Sequence, residues 1–112
     1  RLILADALAY AVKKFKPDYL VDVASLTGSA MVALGHDISA FLSNNQKFTD
    51  QYLQAAREVD EKAWPLPLDK DYAEYMKGQI TDLVNTNFDA KADTILAATF
   101  LKEFIDQTPN WI

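Results

Sequence analysis

The sequence predicts an α/β domain, because stretches with helical patterning alternate with short runs rich in apolar and β-branched residues. The clearest run, Tyr19–Ala24, is almost continuously apolar, which is typical of a strand buried on both faces. It leads through Ser25-Leu26-Thr27-Gly28 towards a short helix. Open α/β sheets bind ligands where a strand delivers a loop to a helix N-terminus, so this corner is the predicted ligand site.

The other elements of the first half follow from local patterns. A helix over Leu2–Phe15 is apolar on nearly all sides, so we expect it to be buried inside a larger layered fold. After the first strand, Ala30–Leu34 is predicted as a short helix, and Ile38–Leu42 as a second strand. Thr49 is the predicted N-cap of the next helix, whose apolar face carries Tyr52 and the residues spaced after it.

The second half is less regular. Two prolines within Trp64–Leu68 remove backbone donors, which predicts an extended, partly buried linker. A short helix ending at Lys77 follows, and Ile80–Val84 is a candidate third strand. Asp93 is the predicted N-cap of a final helix over Thr94–Ile105.

Composition limits the kind of protein. The 112 residues allow one domain, half of them are apolar, and cysteine is absent, which removes disulfides and thiol nucleophiles. A net charge of −5 with only Arg1 and Arg57 as arginines argues against nucleic-acid binding. No apolar run is long enough for a membrane span, and no signal peptide is visible, so we expect a cytoplasmic protein. A helix without an N-cap at one end and a strand-like Trp111-Ile112 at the other predict that residues 1–112 are an internal part of a larger domain.

Ser25 is the candidate nucleophile at the predicted corner. A nucleophile elbow has glycine two residues to either side, whereas Val23 and Thr27 flank this serine. His36 is the single histidine, and a lone histidine after Gly35 is more typical of a loop than of a catalytic pair. The sequence therefore argues against a serine hydrolase.

Carboxylates are frequent, but their spacing matches no metal-ligand motif, and there is no His-x-x-x-His pair. Asp22 differs from the others because it interrupts an apolar strand, where a carboxylate needs hydrogen-bond donors. We expect nearby loop N–H groups to be those donors. These residue patterns name no reaction by themselves.

Several segments match, in order, the motifs of one enzyme family. Arg1-Leu-Ile-Leu-Ala-Asp-Ala-Leu-Ala-Tyr-Ala11 is similar to a helix that begins at the last residue of an Asn-Thr-Asp-Ala-Glu-Gly-Arg motif. Asp22-Val-Ala-Ser-Leu-Thr-Gly28 resembles an Asp-x-Ala-Thr-Leu-Thr-Gly motif. Further similar segments are Met31–Gly35, Phe41–Asn44, Trp64–Leu68, Asp82–Thr86, Ala97–Phe104 and Asn110–Ile112. Over essentially the whole chain, the sequence resembles the catalytic domain of the leucyl (cytosol) aminopeptidases.

This resemblance implies part of a three-layer α/β/α domain with a mixed central sheet, as in zinc peptidases, truncated at both ends. It implies release of N-terminal residues from peptides by two divalent metal ions, zinc or manganese, which activate a water and stabilise the oxyanion. The family's metal ligands lie upstream of Arg1, so the chain alone is expected to be inactive. Arg1 matches the arginine that holds a bicarbonate ion as proton shuttle, and Ser25, Leu26, Thr27 and Gly28 match the substrate-binding loop. The implied assembly is a homo-hexamer.

Two positions depart from the family pattern. Ser25 stands where threonine is usual, which removes one methyl group from the pocket. Asn85–Asp93 stands where the family usually has Asn-x-Gly-Gly and a further glycine before the last helix, so this loop is expected to follow a different path. A relative that has lost catalysis and serves as an assembly or binding module is therefore the alternative hypothesis. An intact Asp-Ala-Glu-Gly upstream of Arg1 would favour the enzyme.

Overall fold

The computed structural model describes residues 1–87 and 89–112, and these residues form four α-helices, two short strands and one 3₁₀ segment. In chain order they are α1 (Leu2–Phe15), α2 (Gly28–Leu34), β1 (Ser39–Phe41), α3 (Gln46–Glu58), β2 (Ala63–Pro65), the 3₁₀ segment (Lys70–Met76) and α4 (Asp93–Lys102). The predicted α/β class is confirmed.

The strands β1 and β2 are parallel, with Ser39 opposite Ala63 and Phe41 opposite Pro65. The prediction of a linker over residues 64–68 was wrong at its start, because Trp64 and Pro65 belong to β2. Proline cannot donate to the ladder, but the next residue does, since the N–H of Leu66 donates to the Phe41 carbonyl at 2.8 Å.

A second parallel pairing joins the predicted first strand to the end of the chain. The N–H of Leu20 donates to the Asn110 carbonyl at 2.8 Å, and the N–H of Asp22 donates to the Ile112 carbonyl at 2.9 Å. The pairing ends at Asp22 and amounts to one isolated bridge, between Leu20 and Trp111, so the predicted strand over Tyr19–Ala24 was wrong for the described residues. This segment is also not buried on both faces, since Val23 is 93% exposed and no described residue covers it.

The core is built around α4, which contacts the 3₁₀ segment, α1 and α2. Leu96 on α4, Met76 at the end of the 3₁₀ segment and Ile105 just after α4 are the largest fully buried side chains among the described residues. Burying a side chain of this size contributes about 1.5–3 kcal/mol relative to leaving it exposed. The helix is buried on more than one face, because all six consecutive residues from Leu96 to Leu101 are buried.

Helix α1 is much more exposed than its apolar sequence predicts. Only Ala5 and Leu8 are buried, on the side that packs towards α4, whereas Ile3 is 87% exposed. The described residues cover one face of α1 only, so burial of this helix inside a larger layered fold stays a prediction. The helix ends as predicted before Pro17, with Lys16 in the left-handed region at φ 46°.

Both predicted N-caps are at other positions. Helix α3 begins at Gln46, and its cap is Asn45, whose Oδ1 accepts from the N–H of Phe48 at 3.1 Å. Thr49 lies within the first turn, buried, and its hydroxyl donates back to the Asn45 carbonyl at 3.1 Å. Asp93 is the first residue of α4 rather than its cap, and its carboxylate makes no capping bond. Helix α4 ends at Lys102, three residues before the predicted end.

The predicted third strand over residues 80–84 was wrong. This part of the chain makes a single antiparallel bridge, between Lys77 and Leu83, and the intervening residues turn back on themselves. Gly78 permits the turn, since a Cβ at this position would lie 2.1 Å from the Thr81 carbonyl oxygen. Among residues 1–87 and 89–112, no helix has the length and apolar character needed to cross a membrane.

Candidate functional site

An open cleft of about 690 Å³ is bounded by residues 23–28, by β1 and by α4. All four residues of the predicted corner, Ser25, Leu26, Thr27 and Gly28, line it. These four residues form one wall of the cleft.

The corner exposes some of its residues to the cleft and buries others. Ser25 and Gly28 are exposed, whereas Leu26 is half-buried and packs against the core. A Cβ at residue 28 would meet nothing within 4 Å, so the backbone of Gly28 is open to a ligand approaching from the cleft.

Three hydroxyl groups join this corner to α4. Thr94 Oγ1 lies 2.7 Å from Thr27 Oγ1 and 2.6 Å from Ser29 Oγ. Thr27 occupies the N-cap position of α2 with extended backbone angles, but its side chain bonds to Thr94 instead of capping. Thr94 is a site residue that the sequence analysis missed, since a threonine in the first turn of a helix has no local pattern that distinguishes it.

Arg1 reaches the same end of α4. Its Nη2 donates to Asp93 Oδ1 in an ion pair, and its Nη1 donates to the Asn85 carbonyl. The Arg1 side chain is 10% exposed, so its charge is largely shielded from water. Asp93 and Thr94 are consecutive, and they bring Arg1 and the corner together at the first turn of α4.

Asp22 lies in the cleft wall as an acceptor. Its Oδ2 accepts a 2.7 Å hydrogen bond from the indole Nε1 of Trp111. The expected donors were loop N–H groups, and the structure places a side chain from the far end of the chain there instead. Burial raises the pKa of the Asp22 carboxyl above its usual range, and the hydrogen bond from Trp111 opposes this shift only in part.

Ser25 and His36 both line the cleft and are exposed, and among residues 1–87 and 89–112 no hydrogen bond joins them. Within the same described residues, no three His, Asp or Glu side chains come together in a way that could hold a metal ion. Phe88, which the altered loop Asn85–Asp93 contains, lies outside the described residues.

Comparison with known proteins shows the family of the chain. The family model described as "Cytosol aminopeptidase family, catalytic domain" matches residues 1–112. The chain belongs to the cytosol aminopeptidase family. The probable cytosol aminopeptidase of Neisseria meningitidis is 49% identical over 109 residues, covering 97% of this chain and 23% of that protein. The probable cytosol aminopeptidase of Desulfotalea psychrophila is 44% identical, covering 100% of this chain and 22% of that protein.

A solved structure from the same family has the same fold. A lysine-to-glutamate mutant of tomato leucine aminopeptidase matches with a TM-score of 0.90 and 36% identity, over 96% of this chain and 21% of that one. The family resemblance and the fold inferred from the sequence are thereby confirmed. The chain spans less than a quarter of the length of these cytosol aminopeptidases.

Proposed function

We propose that residues 1–112 are an internal part of the catalytic domain of a metal-dependent leucyl aminopeptidase, which releases N-terminal residues from peptides. The observation that carries the proposal is that Arg1 pairs with Asp93 while Thr27 bonds to the next residue, Thr94, which lines the cleft. These two residues were assigned to a single site by family resemblance, although they are far apart along the chain.

In this proposal the corner is the substrate-binding wall. Ser25 and Gly28 face the cleft, so their backbone groups are available to an extended peptide, while the hydroxyl bridge to Thr94 holds Thr27 in place. A wall fixed by packing and hydrogen bonds orients a substrate more closely than a free loop does, which favours reaction. Leu26 supports the wall from behind through its contact with the core.

The metal centre belongs to residues outside this chain in the same proposal. The two divalent ions, Zn²⁺ or Mn²⁺, need several carboxylate or similar ligands, and the described residues offer no such group. Asp22, which lines the cleft, accepts from Trp111, and Asp93, which precedes the lining residue Thr94, pairs with Arg1. We therefore expect the 112-residue chain alone to be inactive.

The surroundings of Arg1 fit a bicarbonate ion poorly. A guanidinium fork suits a planar oxyanion, but here Asp93 and the Asn85 carbonyl already accept from both Nη atoms. No role for bicarbonate follows from this geometry.

The proposed protein is a homo-hexamer of the cytoplasm. The exposed apolar side chains of α1, which include Leu2, Ile3 and Phe15, would be covered in a larger protein that forms a homo-hexamer in the cytoplasm. Size measurement of the natural protein by analytical ultracentrifugation tests this, with a monomer as the contradicting result.

The second candidate is a family member that has lost catalysis and acts as an assembly or binding module. The observation that favours it is the engagement of Arg1 by Asp93, in a loop without the family's usual glycines. The residues just before Arg1 in the natural protein separate the two candidates, since an intact Asp-Ala-Glu-Gly supports the enzyme and substituted acids support the module.

The direct test uses the longest natural protein that contains this chain. Removing metal with a chelator should abolish release of leucine from a leucyl amide, and returning Zn²⁺ or Mn²⁺ should restore it. The 112-residue chain, tested in parallel, should release none. A folded, metal-loaded natural protein without turnover would contradict the enzyme, and turnover by the chain alone would contradict its incompleteness.

A further inference from the structure

Arg1, just before α1, donates hydrogen bonds to both end residues of the loop 85–93. Its Nη1 donates to the carbonyl of Asn85, the first residue of this loop, and its Nη2 pairs with the carboxylate of Asp93, the last. The two acceptors are eight positions apart, and one guanidinium holds both. The site thus contains an internal acid at the arginine that family resemblance assigns to anion binding.

A shielded guanidinium needs a nearby negative charge, because an unpaired charge removed from water is unfavourable. Arg1 is 10% exposed, and Asp93 makes its only salt bridge within residues 1–87 and 89–112. Asp93 is 39% exposed and is also the first residue of α4, where a carboxylate interacts favourably with the helix dipole. The same side chain therefore has two favourable interactions in this position.

A carboxylate and a bicarbonate ion present the same flat pair of oxygen atoms to an arginine. With Asp93 on one Nη atom and a carbonyl on the other, a dissolved anion has to displace Asp93 or lie beside its negative charge. Asp93 has the advantage in this competition, because its position is fixed by the chain, whereas a free ion loses its freedom of motion on binding.

We infer that the Asp93 carboxylate replaces a dissolved planar oxyanion as the partner of Arg1, so this protein binds no bicarbonate at that arginine. Asp93 acts through Arg1 and is therefore a positioning residue. Exclusion of bicarbonate depends on Arg1 and Asp93 alone. Its consequence for catalysis, that bicarbonate does not stimulate peptide hydrolysis, rests on the proposed function.

The test compares bicarbonate binding by the natural full-length protein and by its Asp93→Ala variant. Binding is measured as the rise in thermal midpoint with bicarbonate concentration, at constant pH and ionic strength, with chloride as the reference salt. We expect no saturable rise for the unmodified protein. We expect a saturable rise for Asp93→Ala. Its affinity for bicarbonate should be at least about tenfold higher than that of the unmodified protein, which corresponds to one charge-assisted hydrogen bond.

Three further variants locate the effect. Asp89→Asn removes an exposed carboxylate of the same loop and should behave like the unmodified protein. Asp93→Asn keeps the side-chain shape without the charge, and it replaces Asp93→Ala if that variant does not fold. Adding Arg1→Gln to Asp93→Ala should abolish the gained binding, which places the ion at Arg1.

Bicarbonate binding by the unmodified protein as tight as that of Asp93→Ala would overturn the inference. Failure of both Asp93 variants to bind bicarbonate would overturn it as well, because Arg1 would then hold no anion when freed. Both outcomes are independent of peptidase activity, so they are distinguishable from failure of the proposed function. A natural protein without turnover would contradict the enzyme and leave the binding result to decide the role of Asp93.

Discussion

The indole Nε1 of Trp111 donates a 2.7 Å hydrogen bond to Asp22 Oδ2, across 89 residues of sequence. The contact joins residues 20–22 to the last residues of the chain. The backbones of the two segments are also paired, since the N–H of Ile112 donates to the Leu20 carbonyl. The indole therefore satisfies the Asp22 carboxylate, which lies in the cleft wall. Two predictions about stability follow from it.

The first prediction concerns pH. Burial raises the pKa of Asp22 above its ordinary value of 3.8, so the folded chain holds this proton more tightly than the unfolded chain does. The stabilising contribution of Asp22 is therefore fully present below pH 3.8 and is lost as the pH rises through the folded pKa. Relative to Asp22→Asn, the unmodified chain should lose stability over this range. Urea unfolding of both chains at a series of pH values measures the difference, and a difference that is constant or grows in the other direction would be inconsistent with a raised pKa.

The second prediction concerns the donor. Trp111→Phe keeps a buried aromatic ring but removes the N–H, leaving the Asp22 carboxylate without its partner. We expect a loss of about 1–2 kcal/mol in the free energy of unfolding. Trp64→Phe is the matched control, since Trp64 is 60% exposed and should change stability by less than about 0.5 kcal/mol. Equal effects of the two substitutions in urea unfolding would show that the Trp111 hydrogen bond contributes nothing.

Thr94 should matter through its hydroxyl group. Thr94→Val preserves shape but removes the bridge to Thr27 and Ser29, so we expect a loss of about 1–2 kcal/mol in the unfolding free energy. Thr94→Ser retains the hydroxyl and should recover most of it. In the natural protein, Thr94→Val should raise KM for a leucyl substrate more than it changes kcat, because it loosens a binding wall. A kcat loss without any change in KM would contradict this role.

Asn45 should behave as the N-cap of α3. Asn45→Ala removes the acceptor for the Phe48 N–H and should cost about 1 kcal/mol. Asn45→Asp retains an oxygen at the same place and should cost much less. Thermal unfolding of the three chains checks this order, and an alanine variant as stable as the aspartate variant would show that the cap is not at Asn45.

The features predicted correctly from the sequence are those with a local cause. Helix α2 follows from the polar turn before it and from Gly35, which has φ 77° at the end of the helix. The end of α1 follows from Pro17. Each of these signals acts within a few residues, so one short segment is sufficient to interpret it.

The features that were missed depend on contacts distant in sequence or on competition between neighbours. Asp93 pairs with Arg1 across 92 residues and Thr94 bonds Thr27 across 67, so no local pattern reports either contact. Thr49 and Asn45 are both good capping residues four positions apart, and the choice of Asn45 depends on where the chain enters the helix.

Arg1 and the corner Ser25–Gly28 are proposed to belong to one peptide-binding site, with the corner as its wall. A crystal structure of the longest natural protein containing this chain, with a non-hydrolysable dipeptide analogue and metal, tests it most directly. We expect the analogue to lie against Ser25–Gly28, the metal ions to be held by residues outside this chain, and Asp93 to remain paired with Arg1. An analogue bound elsewhere, with the corner remote from the metal ions, would contradict it.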